Sequence, residues 1–173
     1  MLLNNLSDLF QRGLECAWDC EHLLLKHLPK MVEAASLQEL KQVLDLHLVE
    51  TKGHIYHLEQ IFTRLDRSPA AEKNEPIRVI VEECDKMIGH LDRSALLDAA
   101  LVFQGGQIEQ YEVALYESLC GFARTLELHE VSSLLEAILG EEKAAAHHLT
   151  NLAESSINRA AASVHNAPPF ALI

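Results

Sequence analysis

Five glutamates stand where the surrounding pattern calls for an apolar residue: Glu21, Glu50, Glu109, Glu112 and Glu142. With each residue advanced by about 100° around a helix, Glu21 falls among Phe10, Leu14, Ala17, Leu24 and Leu28. Glu109 and Glu112 share a face with Leu101, Val102, Leu119 and Ala123, and Glu142 with Leu134, Leu135, Ile138 and Leu149. A further stripe of Leu40, Val43, Leu44, Leu58, Ile61 and Phe62 is filled at its middle turns by His47, Glu50, Thr51 and His54. One glutamate on an apolar stripe ordinarily snorkels outward or pairs with a lysine. Glutamates interrupting four stripes at mid-height are a different case, because an unpaired buried carboxylate costs several kcal/mol and tends to neutralise. Metal ions supply the missing charge. Carboxylates with one or two imidazoles suit iron or manganese, with zinc as a further option, and shared glutamates can bridge two ions.

The neighbouring side chains take roles around that set. His47, one turn before Glu50, reads as a ligand or as a hydrogen-bond donor to one, and His54, one turn after Glu50, as a ligand. Tyr116 lies one turn after Glu112; it is the candidate catalytic residue, donating to a ligand carboxylate, with a packed core aromatic as the plainer reading. His57, His147 and His148 read as surface, and Asp98 pairs with something other than the metal set. Gly105-Gly106 in mid-helix allows a close helix approach, a π-bulge beside Glu109, or simple distortion.

Four long helices must hold these residues at one height. Periodicity predicts helices over 3–35, 36–65, from 92 or 94 to 126, and 129–160, with a shorter amphipathic helix over 75–91. Pro29 predicts a kink or break near Leu28. Ser36 and Glu39 form a capping box that starts the second helix. Glu21 and Glu50 lie 29 residues apart, and Glu112 and Glu142 lie 30 apart, as expected of two helical hairpins with matched midpoints. Strand alternation persists nowhere. The fold class is therefore all-α: an antiparallel four-helix bundle with one long crossover and an additional short helix. Residues 1–160 form a single bundle domain and 161–173, with Pro168 and Pro169, a C-terminal tail.

Composition sets outer limits. Asp and Glu number 26 against 14 Lys and Arg, a formal net charge of −12 among 173 residues. That balance argues against binding nucleic-acid phosphates or an anionic membrane surface. No apolar run approaches the roughly 18 residues of a membrane span. Residues 1–8 have no basic flank before an apolar core, so no signal peptide is expected and the location is read as cytoplasmic. Cys16, Cys20, Cys84 and Cys120 form no C-x-x-C pair and read as free thiols.

At this point the residues resemble a known family. The run His47-Leu-Val-Glu50-Thr51 resembles the HLxET signature of the YciE/YciF ferritin-like stress proteins. Ile108-Glu109-Gln110-Tyr111-Glu112-Val113-Ala114-Leu115-Tyr116 resembles their VEHYEIAxYG helix, and Leu139-Gly140-Glu141-Glu142-Lys143 their LxEEK segment. Cys20-Glu21-His22-Leu23-Leu24 stands where they have AEKQL. The likeness spans about residues 3–158 and implies a ferritin-like bundle with a di-metal carboxylate centre, usually dimeric, serving bacterial stress responses. Carried over, Glu21, Glu50, Glu109, Glu112 and Glu142 are the candidate ligands, with His47. Ferritin-like sites commonly carry Glu-x-x-His on two helices; here Gly53 and Ala145 occupy those positions. His54 replaces the glutamine usual in the relatives and restores an imidazole, and Gln110 replaces a frequent histidine.

Two functions follow as expectations. One is a di-metal oxidoreductase, a ferroxidase or peroxidase type in which iron meets O₂ or peroxide. The other is a non-catalytic dimeric helical stress protein that holds zinc or no metal.

Overall fold

The computed structural model describes residues 3–163, which are helical throughout apart from short connections. Helix α1 (Leu6–Ala34) starts at Asn5, whose side-chain oxygen accepts the Asp8 N–H at 2.9 Å. Of the kink or break expected near Leu28, the break is absent: the chain stays helical through Pro29. Proline removes one backbone donor, but Leu28 and Met31 on either side are buried, and their packing holds the helix together.

Helix α2 (Gln38–Arg64) does not begin as its capping box suggests. Leu37 is the cap position, and no side chain of the turn bonds to the helix start. The carboxylate of Asp98, reaching across from another helix, accepts the N–H groups of Ser36 at 2.6 Å and Leu37 at 3.0 Å. Arg93 fixes the same turn by donating two hydrogen bonds to the Ala35 carbonyl, at 2.7 and 3.1 Å. Asp98 thereby takes the Ser36 N–H that the capping box assigns to Glu39. Asp98→Ala leaves both donors without their partner in a buried place and is expected to cost about 1–3 kcal/mol. The check is a lowered urea midpoint at unchanged slope.

The crossover leads into α3 (Glu75–His90), which has a proline in its first turn. Asn74, just before it, is buried and pins the crossover to the bundle. Its N–H donates to Asp19 at 2.9 Å, its amide to the Cys16 carbonyl at 3.1 Å, and its side-chain oxygen accepts from the Tyr111 hydroxyl at 2.7 Å. Arg78 closes the network on Asp19 at 2.6 Å.

Helix α4 (Ala95–Thr125) is capped by Ser94, and α5 (His129–Leu152) follows a three-residue turn. At Gly105 the α4 backbone runs so close to α5 that an added Cβ would meet Leu149 at 3.1 Å. Gly105 therefore serves close approach, Gly106 faces open space, and α4 remains regular α-helix there. A π-helical turn occurs elsewhere, over Ala153–Ile157, where the Asn158 N–H reaches back five residues to Ala153. Helix α6 (Asn158–Ser163) then carries the chain past the boundary expected at 160, so the first residues of the expected tail are helical. Pro168, Pro169 and the rest of that tail lie outside the described residues.

Helix α1 packs on α2, α2 on α5, α5 on α4 and α4 on α1, while α3 lies against α4 and α1. The short α1–α2 and α4–α5 turns make each pair a hairpin. The apolar interior divides in two. One core gathers Leu24, Leu28, Met31, Leu40, Leu101 and Leu149. The other gathers Phe10, Leu14, Phe62, Leu119, Leu135 and Ile138. Glu21, His47, His54, Glu109, Glu112 and Glu142 lie on the helix turns between these cores. Among the described residues there is no strand, and no helix is long and apolar enough to cross a membrane.

Candidate metal centre

Each of the four packed helices contributes one or more acidic or imidazole side chains to this polar layer. Glu21 comes from α1, His47 and His54 from α2, Glu109 and Glu112 from α4, and Glu142 from α5; all six are buried. They form two groups, each with ligand atoms lying within 4.8 Å of one another. The first is His47, Glu109, Glu112 and Glu142; the second is Glu21, His54 and Glu142. Glu142 belongs to both.

The distances show the order within the layer. His47 Nε2 lies 3.4 Å from Glu109 Oε1 and 3.9 Å from Glu112 Oε2. His54 Nδ1 lies 3.0 Å from Glu142 Oε1 and 3.5 Å from Glu21 Oε1. The Tyr116 hydroxyl donates to Glu21 Oε1. Glu50 stands apart from both groups: it is 21 % exposed and holds its Oε2 3.7 Å from His47 Nδ1, at the rim of the layer. No lysine or arginine forms an ion pair with any of these carboxylates among the described residues; Lys143, one residue beyond Glu142, pairs outward with Glu117.

Buried polar atoms almost always have partners, yet many here have none. Glu21 Oε2, Glu109 Oε2, Glu112 Oε2, both Glu142 oxygens, both His47 nitrogens, His54 Nδ1 and Thr51 Oγ1 lack a hydrogen bond. Oxygen and imidazole donors converging without hydrogen bonds between them are the donor set of a hard to borderline metal ion. The residues present fit such a group.

Proton affinities follow from the crowding. Burial pushes Glu109 up to about 8, with Glu142 and Glu21 adding to the shift and His47 opposing it. Burial, then the charges of Glu142, Glu21 and Glu109, raise Glu112 well above the carboxylate range. Burial also raises Glu21, against the pull of His54. Burial by itself would lower His47 and His54. The carboxylates reverse that: Glu109 and Glu50 chiefly hold His47 at about 9, and Glu142 and Glu21 hold His54 at about 11. Glu50 is lowered by its contact with His47. Tyr116 is raised by burial and by Glu21.

Two neighbours escaped the sequence pattern. The Cys20 thiol donates to Glu112 Oε1 at 3.6 Å and is buried. As a small apolar-like residue it gives no signal of its own beyond its place before Glu21. Glu141 accepts from His54 Nε2 at 2.9 Å. Because it sits next to Glu142, it reads as solvent face until His54 is known to lie opposite. His147 and His148 are exposed, as expected. Asp98 is committed to the α2 turn.

An all-helical chain with a buried double cluster of histidine and glutamate is the class that fold and site define. Residues 5–162 match the family described as Domain of unknown function (DUF892), and the chain belongs to that family. It is 30 % identical over 162 residues to Protein YciF of Escherichia coli strain K12, covering 93 % of this chain and 98 % of that protein. The crystal structure of the E. coli stress protein YciF superposes with a TM-score of 0.86 at 29 % identity, covering 91 % of this chain and 99 % of that one. A second structure is YcfI from Rhodopseudomonas palustris, described as a candidate structural protein. It matches at TM-score 0.83 and 34 % identity over 85 % of this chain and 94 % of that one.

Proposed function

We propose that the chain is a ferritin-like di-metal carboxylate protein of the stress response, binding two metal ions, iron foremost, and oxidising Fe(II) with O₂ or peroxide. The observation that carries this reading is the pair of buried clusters joined through Glu142, with so many carboxylate and imidazole atoms left without partners. Glu21, His54 and Glu142 would hold one ion, and His47, Glu109, Glu112 and Glu142 the other; Glu50 would act from the rim through His47. Manganese or zinc fits the same donors.

Bound iron would supply one-electron redox chemistry at two adjacent positions. With Fe(II) as the substrate and peroxide as oxidant, two Fe(II) lose one electron each, and peroxide takes two electrons and two protons to leave as two waters. The chain's own part is orientation and exclusion. Tyr116 donates to Glu21 Oε1 and so turns that carboxylate. Cys20 occupies Glu112 Oε1, leaving Oε2 toward His47. The apolar cores above and below keep bulk water from the layer, which strengthens every charge interaction inside it.

The same reading takes residues 1–160 as one bundle domain and the protein as a cytoplasmic homodimer that binds neither nucleic acid nor membrane. Exposed Leu46, Val49 and Tyr56 on the outer side of α2 support a self-association face. All four cysteines are free, which suits a reducing compartment.

A second reading is a non-catalytic dimeric helical stress protein with zinc or no metal. Gly53 and Ala145, where ferritin-like sites commonly carry histidine, favour it, as does the description of YcfI as a candidate structural protein. Elemental analysis separates the two. Protein purified without chelator, then loaded with Fe²⁺ anaerobically and exposed to air, is expected to hold about two irons per chain and to develop a ferric absorption band. Zinc retained without iron oxidation selects the second reading, and no metal under either condition removes the first.

A further inference from the structure

We propose that Glu141 is a positioning residue for the second cluster. It takes the outer N–H of His54 and thereby turns Nδ1 of that imidazole toward Glu21 and Glu142, the other ligands of that ion. The proposal rests on the di-metal reading above and adds a residue that lies outside both clusters.

Consecutive residues of α5 grip the two ends of one ring. Glu142 Oε1 is 3.0 Å from Nδ1, and Glu141 Oε2 is 2.9 Å from Nε2. Neighbours on a helix diverge by about 100°, so one carboxylate enters the layer while the other stays on the surface. His54 is fully buried, and Glu141 is 46 % exposed. The Nε2 contact is a formed hydrogen bond, whereas Nδ1, though close to two carboxylates, is without one.

A neutral imidazole has one N–H and one lone pair, and the hydrogen bond at one nitrogen decides what the other offers. A carboxylate only accepts, so Glu141 holds the proton on Nε2 and leaves Nδ1 free to ligate. Metal-bound histidines commonly use such an outer carboxylate, and its loss typically weakens metal binding about 10–100-fold. His47 is differently placed. Among the described residues its outer carboxylate is Glu50, with Oε2 3.7 Å from Nδ1, too far for a hydrogen bond. The two clusters are thus unequal, with the His54 ring held from both ends and the His47 ring free of hydrogen bonds.

The test uses Co²⁺ alone, with chelator competition for the affinity of each ion and visible absorption for the ligand field. The parent chain is expected to take two ions. Glu141→Ala should keep the first at parental affinity and hold the second about 10–100-fold more weakly, with an altered spectrum. Glu141→Gln, whose carbonyl still accepts without charge, should fall between. Glu141→Gln keeps an acceptor for the buried Nε2–H and should leave the metal-free melting temperature near the parent's, whereas Glu141→Ala leaves that donor unpaired and should melt lower without metal. Parental affinity and spectrum for both ions in Glu141→Ala overturns the proposal, as does equal weakening of the two. A parent that binds no Co²⁺ overturns the di-metal reading and this assignment with it.

Discussion

Glu142→Gln should abolish binding of both metal ions while leaving the metal-free protein about as stable as the parent. Glu142 is the one side chain common to the two clusters, so removing its charge takes a ligand from each. Glu21→Gln or His47→Ala, each confined to one cluster, should spare one ion. The metal-free outcome follows from like-charge crowding set against one lost pairing. Glu142 pushes up the proton affinity of Glu21, Glu109 and Glu112 together, and neither of its oxygens has a hydrogen bond. A glutamine keeps the volume, removes the charge, and gives its amide several carboxylate acceptors. The charge removed also faces His54 Nδ1 at 3.0 Å, so relief of the carboxylate crowding and loss of that pairing oppose each other in the metal-free protein. A tightly bound ion stabilises by about 4 kcal/mol when free metal is a thousandfold above its Kd. The parent should therefore melt far higher with metal than without, and the variant should melt alike in both. Melting curves in chelator and in excess metal, with elemental analysis, read the result directly. A variant that retains two ions would refute the shared role of Glu142.

Without metal, the protein should be most stable in mildly acidic solution and lose stability as the pH rises toward 9. The sign follows from which state binds protons more tightly. Glu109 goes from 4.5 to about 8 on folding, His47 from 6.5 to about 9 and His54 from 6.5 to about 11, and Glu21 and Glu112 also rise. Between the unfolded and folded values of each group the native state holds the extra proton, so stability falls with pH across that window. The carboxyl contribution is intact below 4.5 and is lost for Glu109 by about 8. The imidazole contributions are intact below 6.5 and are lost as the pH passes about 9 for His47 and about 11 for His54. Two groups act the other way, both on the acid side. Glu50 is lowered by His47, and His27 is lowered by burial against the pull of Asp85. They bring the maximum up from strongly acid pH. The decline between pH 5 and 9 should amount to several kcal/mol and appear as a steady fall in Tm. Metal inverts the slope, because ligands must lose their protons to bind. The loaded protein should gain stability over the same range, and the two curves diverge upward in pH. Melting in chelator that rises steadily from pH 5 to 8 would contradict the proton assignments.

Individual residues show how far one dimension reaches. Glu21, Glu109, Glu112 and Glu142 were legible because the 3.6-residue period places each on its helix's apolar face without any knowledge of a partner. All four are buried, as is Tyr116. The same period put Glu50 among them, yet it ends at the rim, since His47 fills the space between it and α4. Pro29 and Ser36 were read by local rules, and distant side chains overrode both: packing at Leu28 and Met31 in one case, the Asp98 carboxylate in the other. Gly105 carried three local meanings, and only the position of Leu149 on α5 selects among them.

Residue spacing was enough to place the long helices, the face of each that turns inward, and the height at which that face becomes polar. These are properties of a single helix, whose geometry is uniform enough to be projected from residue spacing. Tertiary structure alone decided which groups meet. Tyr116 reaches Glu21 across 95 residues of chain, Cys20 reaches Glu112 across 92, and His54 reaches Glu141 across 87. Such contacts depend on how far apart the helix axes lie and how the helices are rotated against one another. Those quantities are set by the packing of the whole interior and have no counterpart in the spacing along any one helix.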